Sequence, residues 1–403
     1  MNKEIMRYLC CPACSQSLSL QLFAAENGPR VDEMHTTAGA QREPTTMQIV
    51  RSGVLLCSTC RFWYPIDNYV PVLVIFPTPF HHQFAARYAA QLNSISGFTM
   101  PNRVPEPGEE SIQETFTEEW STVGTQDLSF VYSLRDLEYM YRHVWLKWIG
   151  DCPDRIRYVL DVGCGIGQET VSLSNVLSQP TIFGIDINLS LLANGHVSKA
   201  PSSCHFVVAS LFHLPFRSHS FDLVYSNGVI HHTASPRKAL EELTQYVADS
   251  RYIFVWVYGK DDHMRRGGIR GIATRLTHAI ESGVRPVISR CPQMVRALSL
   301  DLASVLVHPF YRSTQRHRSE WRLKNTMHSV RDRFSPRYAH RQTYNEVVEW
   351  LEDVGFKIID VQSPRAYKQF FAKQLWGVGM TGKHQADGLA DRSVSHGPFR
   401  PSI

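Results

Sequence analysis

Three groups of residues in this 403-residue chain have types and spacing suited to chemistry. The first is a glycine turn. Tyr158 to Val162 is apolar apart from Asp161 and has the character of a buried parallel strand. Gly163, Gly165 and Gly167 follow at alternate positions, and such a turn lets the backbone come close to a ligand because no side chain blocks it. A helix is expected from Gln168, with N-terminal N–H groups that favour negative charge. A second apolar run, Ile182 to Ile185, ends in Asp186, a carboxylate suited to the hydroxyl pair of a ribose.

The second group is cysteine. Cys11-Pro-Ala-Cys14 and Cys57-Ser-Thr-Cys60 each place two thiolates within reach of one metal ion, and two such pairs complete a tetrahedral Zn²⁺ site. Cys10 lies beside the first pair and competes for its role, but Cys11 has the Cys-Pro-x-Cys context of a knuckle turn. The third group follows the apolar run Phe221–Tyr225. Ser226 and Asn227 fall at the carboxyl end of that expected strand, where open α/β sheets bind ligands. His231 and His232 come next, and imidazole titrates near neutrality, as a proton acceptor must. Asp222 has the position of a structural acid.

These residues need elements to hold them. Candidate strands at 158–162, 181–185, 205–208, 221–225, 252–258 and 356–361, with a last one near 368–380, alternate with helical segments, the pattern of a doubly wound sheet. Thr343-Tyr-Asn-Glu346 is a capping box that starts a helix reaching Val354, with Gly355 as its stop. Leu134–Ile149 has helical spacing with an aromatic stripe suited to packing. The boundaries that result are a small unit at 1–75, a linker and helical cap at 76–150, a catalytic-type α/β domain at 151–383 and a disordered tail at 384–403. Within the first unit, 25–46 has the composition of an inserted loop; Pro101–Glu110 has that of an exposed one.

The net charge of +5 conceals an asymmetry. Residues 261–341 hold 16 Lys/Arg against 6 Asp/Glu, and the rest of the chain sums to −5. The positive charge is confined to one segment, which interrupts the strand–helix pattern over 259–341 and points to an anionic partner or substrate. No apolar stretch reaches the ~18 residues needed to span a membrane. Met1–Arg7 lacks a signal-peptide pattern, so a cytoplasmic location is expected, where nine cysteines serve as thiols and metal ligands.

The order of strand, Asp-x-Gly-x-Gly-x-Gly turn, helix, strand and acid resembles motif I and the second-strand acid of class I S-adenosylmethionine-dependent methyltransferases. A dinucleotide turn would read Gly-x-Gly-x-x-Gly. The resemblance implies a seven-stranded Rossmann-like methyltransferase sheet. It implies that Asp161, Gly163, Gly165 and Gly167 surround the methionine moiety and ribose of the cofactor, that Asp186 accepts from the ribose hydroxyls, and that Ile187 packs on the adenine. Ser226, Asn227 and the His231–His232 pair would line the methionine end and the acceptor cavity. In ubiquinone-biosynthesis-type members the third strand ends Asp-x-x-x-Leu-Pro-Phe, and the Asp bonds the adenine amine. Here that place is Ser210, with Leu211 facing the ring through its backbone. Ser111–Trp120 resembles the Phe-x-x-x-Trp segment that covers the cofactor in many small-molecule methyltransferases.

Leu9-Cys-Cys-Pro-Ala-Cys14, with Cys57-x-x-Cys-x-x-x-Tyr-Pro-Ile-x-x-x-x-Pro-Val-Leu73, resembles the zinc-ribbon family of methyltransferase activator subunits. A structural zinc on Cys11, Cys14, Cys57 and Cys60 is implied. The usual Gly of that family is Tyr69 here. The run Arg331–Arg341 resembles methyltransferases of biosynthetic clusters, which implies substrate contacts from Arg333, Arg337, Tyr338, His340 and Arg341. The expected function is methyl transfer to a small or carrier-linked anionic metabolite. An rRNA or tRNA methyltransferase is the alternative, disfavoured by the absence of Asn/Asp-Pro-Pro-Tyr/Phe after the fourth strand. A non-catalytic S-adenosylmethionine-binding subunit is the second.

Overall fold

The structure, a computed structural model, describes residues 1–28, 47–122, 133–150, 155–193, 200–260, 268–314, 321–362 and 377–385. Its strands are β1 (Ser19–Gly28), β2 (Met47–Cys57), β3 (Phe62–Asp67), β4 (Val70–Leu73), β5 (Tyr158–Val162), β6 (Thr181–Asp186), β7 (Cys204–Ala209), β8 (Phe221–Asn227), β9 (Val247–Tyr258), β10 (Phe356–Val361) and β11 (Gly377–His384). They form one sheet in the order β1-β2-β3-β4-β7-β6-β5-β8-β9-β11-β10.

The segment β7-β6-β5-β8-β9-β11-β10 is the expected seven-stranded sheet. β5 sits centrally between parallel neighbours β6 and β8, which is why its sequence is apolar through both faces. β11 returns antiparallel between β9 and β10. The chain order reverses about β5 and β8, so the crevice at their carboxyl ends is the place for a ligand.

The N-terminal strands form a meander of antiparallel pairs, and β4 then pairs parallel with β7 through Val72–Val208 and Leu73–Ala209. The cysteine unit therefore continues the central sheet. One apolar core runs across the junction, from Cys11, Tyr64 and Leu73 to Leu160, Phe183 and Val207. The turn from β3 to β4 uses Asn68 and Tyr69, both with positive φ (45° and 70°). Tyr69 thus adopts the left-handed backbone that glycine would supply, at a cost of about 1–2 kcal/mol, and its hydroxyl donates to Glu26.

The helices are α1 (Pro79–Arg87), α2 (Ala89–Asn93), α3 (Glu109–Thr122), α4 (Leu134–Met140), α5 (Gln168–Val176), α6 (Pro236–Thr244), α7 (Gly268–Ile288), α8 (Gln293–Thr314), α9 (Leu323–Phe334) and α10 (Tyr344–Asp353). Ser133 caps α4 and Thr343 caps α10, each with a reciprocal bond three residues on. Gly355 stops α10 with φ +84°. The stripe in Leu134–Ile149 packs as expected: Tyr141 and Trp145 are buried with Tyr225 and Phe254. The segment is one α-turn run followed by a π turn (Tyr141–Trp145) and a 3-10 turn, rather than a single helix.

Several boundaries differ from expectation. β9 begins at Val247 and not at 252, and the loop expected at Pro101–Glu110 gives way to α3 at Glu109, which is buried. Residues 25–28 extend β1, because they pair with Met47–Val50 instead of looping out; 29–46 lie outside the described residues. The last strand is Gly377–His384, later than 368–380, and its pairing with β9 carries the chain to His384. The tail expected at 384–403 falls outside the described residues from 386 onward.

Candidate active site

A cavity of about 250 Å³ opens at the carboxyl ends of β5, β6, β7 and β8. Its floor is the glycine turn. Gly163 and Gly165 have φ of +78° and +58°, and a Cβ on Gly165 would stand 2.8 Å from the Trp120 ring. Both the backbone conformation and the close approach of α3 therefore require glycine there. Asp186 closes one side. Its carboxylate accepts from the N–H of Gly165 (2.8 Å) and of Asn188 (2.9 Å), which orients it while leaving lone pairs for a ligand. Burial pushes this carboxyl up, against the pull of those N–H groups.

Of the expected cofactor residues, Gly163, Gly165, Asp186, Ile187, Ser210, Leu211 and Asn227 line the cavity. Asp161, Gly167 and Ser226 do not. Asp161 accepts from Thr170 Oγ1 at 2.6 Å and ties β5 to α5, with its carboxyl raised first by burial and then by Glu169. Gly167 is the left-handed N-cap of α5, and Ser226 is buried in β8. Asp222 accepts from the N–H groups of Arg157 and Tyr158 and pairs with Arg251, a structural role.

The roof comes from α3 and α9. Phe116 and Trp120 of α3 cover the glycine turn, where the Phe-x-x-x-Trp resemblance implied. Glu109, the first residue of α3, is 3% exposed and lines the cavity with Ser210. Burial pushes its carboxyl up, while the Ser210 hydroxyl and the Glu106 N–H hold it partly down. Its Oε1 has no protein hydrogen-bond partner. At the opposite end Glu169 accepts from Asn227 Nδ2 (3.0 Å) and from the Tyr141 hydroxyl (3.1 Å).

The two histidines separate. His232 lines the cavity. Its Nδ1 lies 2.9 Å from the Tyr338 carbonyl, which only accepts, so Nδ1 carries a proton and the Nε2 lone pair is free in the neutral ring. Nε2 is 3.6 Å from Asp332 Oδ1, and Asp332 Oδ2 accepts from the Tyr258 hydroxyl at 2.5 Å. Burial lowers the His232 pKa below its usual value, with Asp332 opposing. His231 is fully buried, lies tilted against the Tyr258 ring with centroids 4.0 Å apart, and is not part of the wall. Next to His232, His328 Nδ1 meets Glu119 Oε1 at 3.0 Å, and burial followed by Asp332 pushes the Glu119 carboxyl up.

The expected substrate set, Arg333, Arg337, Tyr338, His340 and Arg341, is not on this cavity. The helical register of α9 turns His328 and Asp332 inward, one turn apart, and carries Arg333 away. Arg333 and Arg341 instead converge with Arg285 on the buried Glu281 (3.1, 3.0 and 3.8 Å). Arg341 lines a second cavity of about 450 Å³ with Lys260, Arg275, His278 and Arg285. Arg337 lies over the Tyr338 ring, and Tyr338 stacks on His340. Glu109, Glu119, Glu169, His328 and Asp332 were not selected from sequence. For His328 and Asp332 the i, i+4 spacing was the available signal; for Glu109, in an expected exposed loop, and Glu119, each one of two adjacent acids, there was none, since paired acids in polar runs have no distinctive pattern.

The Sγ atoms of Cys11, Cys14, Cys57 and Cys60 lie within 4.8 Å of one another, the donor set and spacing that Zn²⁺ takes. Cys10 is outside this group; its N–H donates to the Pro215 carbonyl and burial lifts its thiol to about 11. The Tyr64 hydroxyl is 3.2 Å from Cys11 Sγ, a neighbour suited to a thiolate.

Residues 160–255 match the family model of the methyltransferase domain. The chain is 30% identical over 105 residues to a trans-aconitate 2-methyltransferase of Deinococcus radiodurans, covering 26% of this chain and 39% of that one. It is 31% identical over 115 residues to a tRNA U34 carboxymethyltransferase of Cellvibrio japonicus, covering 27% and 35%. The chain thus spans well under half the length of these relatives. The complex between the Haloferax volcanii Trm112 methyltransferase activator and a methyltransferase is similar at 16% identity, covering 67% of this chain and 97% of that one, with a TM-score of 0.36.

Proposed function

We propose, from a chain that carries a methyltransferase domain, that it is an S-adenosylmethionine-dependent methyltransferase acting on a small or carrier-linked metabolite. The observation that carries this reading is the glycine turn and Asp186 in the wall of a covered cavity that His232, Asp332, His328 and Glu119 also line. The cofactor, when bound, supplies an electrophilic methyl group and its own leaving group.

The remaining work belongs to the protein. Gly163 and Gly165 admit the cofactor close to the backbone, and Asp186 accepts from the ribose hydroxyls. Glu109 offers the adenine amine the carboxylate acceptor that Ser210 does not. Glu169, with Asn227, presents an acceptor to the ammonium of the methionine end. Phe116 and Trp120 keep water out, which is needed because methyl transfer depends on alignment. His232 takes the acceptor's proton on Nε2, and Asp332 stabilises the imidazolium that forms. A neutral imidazole held against a carboxylate suits an O–H or N–H acceptor. The arginines around the second cavity suit an anionic group remote from the reacting atom.

The four cysteines hold one structural zinc that secures the N-terminal unit. An RNA acceptor is the second reading, favoured by the basic 261–341 segment; nucleic acid co-purifying with the protein and released by high salt would support it.

The deciding experiment titrates S-adenosylmethionine into the purified protein and into Asp186→Ala. Saturable binding by the wild type and weakened binding by the variant are expected; absence of binding by the wild type overturns the reading. Labelled S-adenosylmethionine incubated with native-host extract then identifies the acceptor.

A further inference from the structure

Helices α7 and α8 are inverted. Of the 19 large hydrophobic residues exposed among the described residues, 12 lie on these two elements. On α7 the exposed set is Ile272, Leu276, Ile280, Val284 and Val287, a stripe at helical spacing. On α8 it includes Met294, Leu298, Leu302, Leu306 and Phe310, most of them about two-thirds exposed or more. The inward faces carry charged and polar residues. α7 turns Glu281 and Arg285 toward Arg333 and Arg341. α8 buries Arg296 against Glu118, with Leu300 and Ser304 on the same face. A helix facing water carries the opposite arrangement, and an apolar surface of this extent marks a partner.

Charge selects the partner. Residues 261–341 carry a net +10 against −5 for the rest of the chain. Both acids of α7 and α8 are already engaged, Glu281 with three arginines and Asp301 with Arg331. Arg275 on α7, Arg290 between the two helices and Arg312 on α8 are exposed beside the stripes. A second copy of the chain would bring the same positive segment against itself, which is repulsive. An anionic bilayer offers both an apolar interior for the stripes and negative charge for the arginines. No helix among the described residues is long and apolar enough to cross a membrane, so the contact lies in the plane of the interface.

We infer that α7 and α8 dock the protein on anionic membranes, with Leu298, Leu302, Leu306 and Phe310 entering the acyl boundary and the exposed Arg275, Arg290 and Arg312 meeting lipid phosphates. This does not rest on the proposed methyl transfer and is measured without cofactor.

The test uses the full-length protein and vesicles of phosphatidylcholine with and without phosphatidylserine, with the bound fraction read by flotation. Binding to the phosphatidylserine-containing vesicles, weakened by high salt, is expected. Leu298→Glu combined with Leu302→Glu should lower vesicle affinity by about tenfold or more, with thermal unfolding unchanged because both side chains already face solvent. Failure of the wild type to float with anionic vesicles overturns the inference, as does undiminished binding by the double variant. A concentration-dependent dimer that the same variant dissociates, with no vesicle binding, would instead assign the face to self-association.

Discussion

Glu109, at the start of α3, stands against Ser210, at the end of β7, and the two share one wall of the cavity at its proposed adenine end. They are 101 positions apart in the chain. The carboxylate that third-strand aspartate supplies in ubiquinone-biosynthesis-type enzymes is missing at Ser210, and a carboxylate arrives from a different element. Glu109→Ala should weaken S-adenosylmethionine binding roughly tenfold to a hundredfold, the range for a hydrogen bond to a charged group. Isothermal titration of the variant checks this, and equal affinity would remove Glu109 from the site.

Gly165→Ala tests the turn. The added methyl meets the Trp120 ring at a backbone φ of +58°, so the substitution should cost about 1–3 kcal/mol and abolish cofactor binding together with the α3 cover. Trp120→Ala paired with Gly165→Ala should recover part of the stability, read by denaturant titration, because the clash is removed while the φ strain stays.

His232→Gln should reduce kcat by roughly two to four orders of magnitude with little change in cofactor affinity. Its pKa lies below the usual imidazole value because burial disfavours the charged ring. The base is competent when neutral, so activity should be retained above that usual value and fall as pH drops through the lowered pKa. Asp332→Asn removes the opposing carboxylate and should move this acid limb to still lower pH. His231→Gln should leave the limb where it is, since that ring is packed on Tyr258 outside the cavity.

Glu281→Gln tests the arginine cluster. Three guanidiniums converge on this one buried carboxylate, and its loss leaves them uncompensated. A destabilisation of about 3 kcal/mol is expected, visible as a lowered melting temperature that added salt partly restores.

Elemental analysis of reduced protein should return about one zinc per chain, and Cys57→Ser should lose it. Because β4 pairs with β7, loss of the metal should lower the melting temperature of the whole sheet in a single transition; a separate early transition would show the N-terminal unit to be independent.

Much of this was legible beforehand because it is local. A buried parallel strand must be apolar, a turn that admits a ligand must be glycine, and a thiolate pair on one ion needs a CxxC spacing, so β5, the 163–167 turn, Asp186, the cysteine pairs and the α10 capping box were all visible in short windows of residues. The folded structure decided what depends on distant partners. Asp161 accepts from Thr170 and does not line the cavity. His232 and not His231 reached the cavity because the Tyr338 carbonyl holds its ring. The arginines of 333–341 collected on Glu281 because α7 carries a buried acid past them, and Glu109 met Ser210 because α3 closes over the sheet. Periodicity reports which face of an element is apolar; only the packing of that face, or its absence on α7 and α8, reports what the element is for.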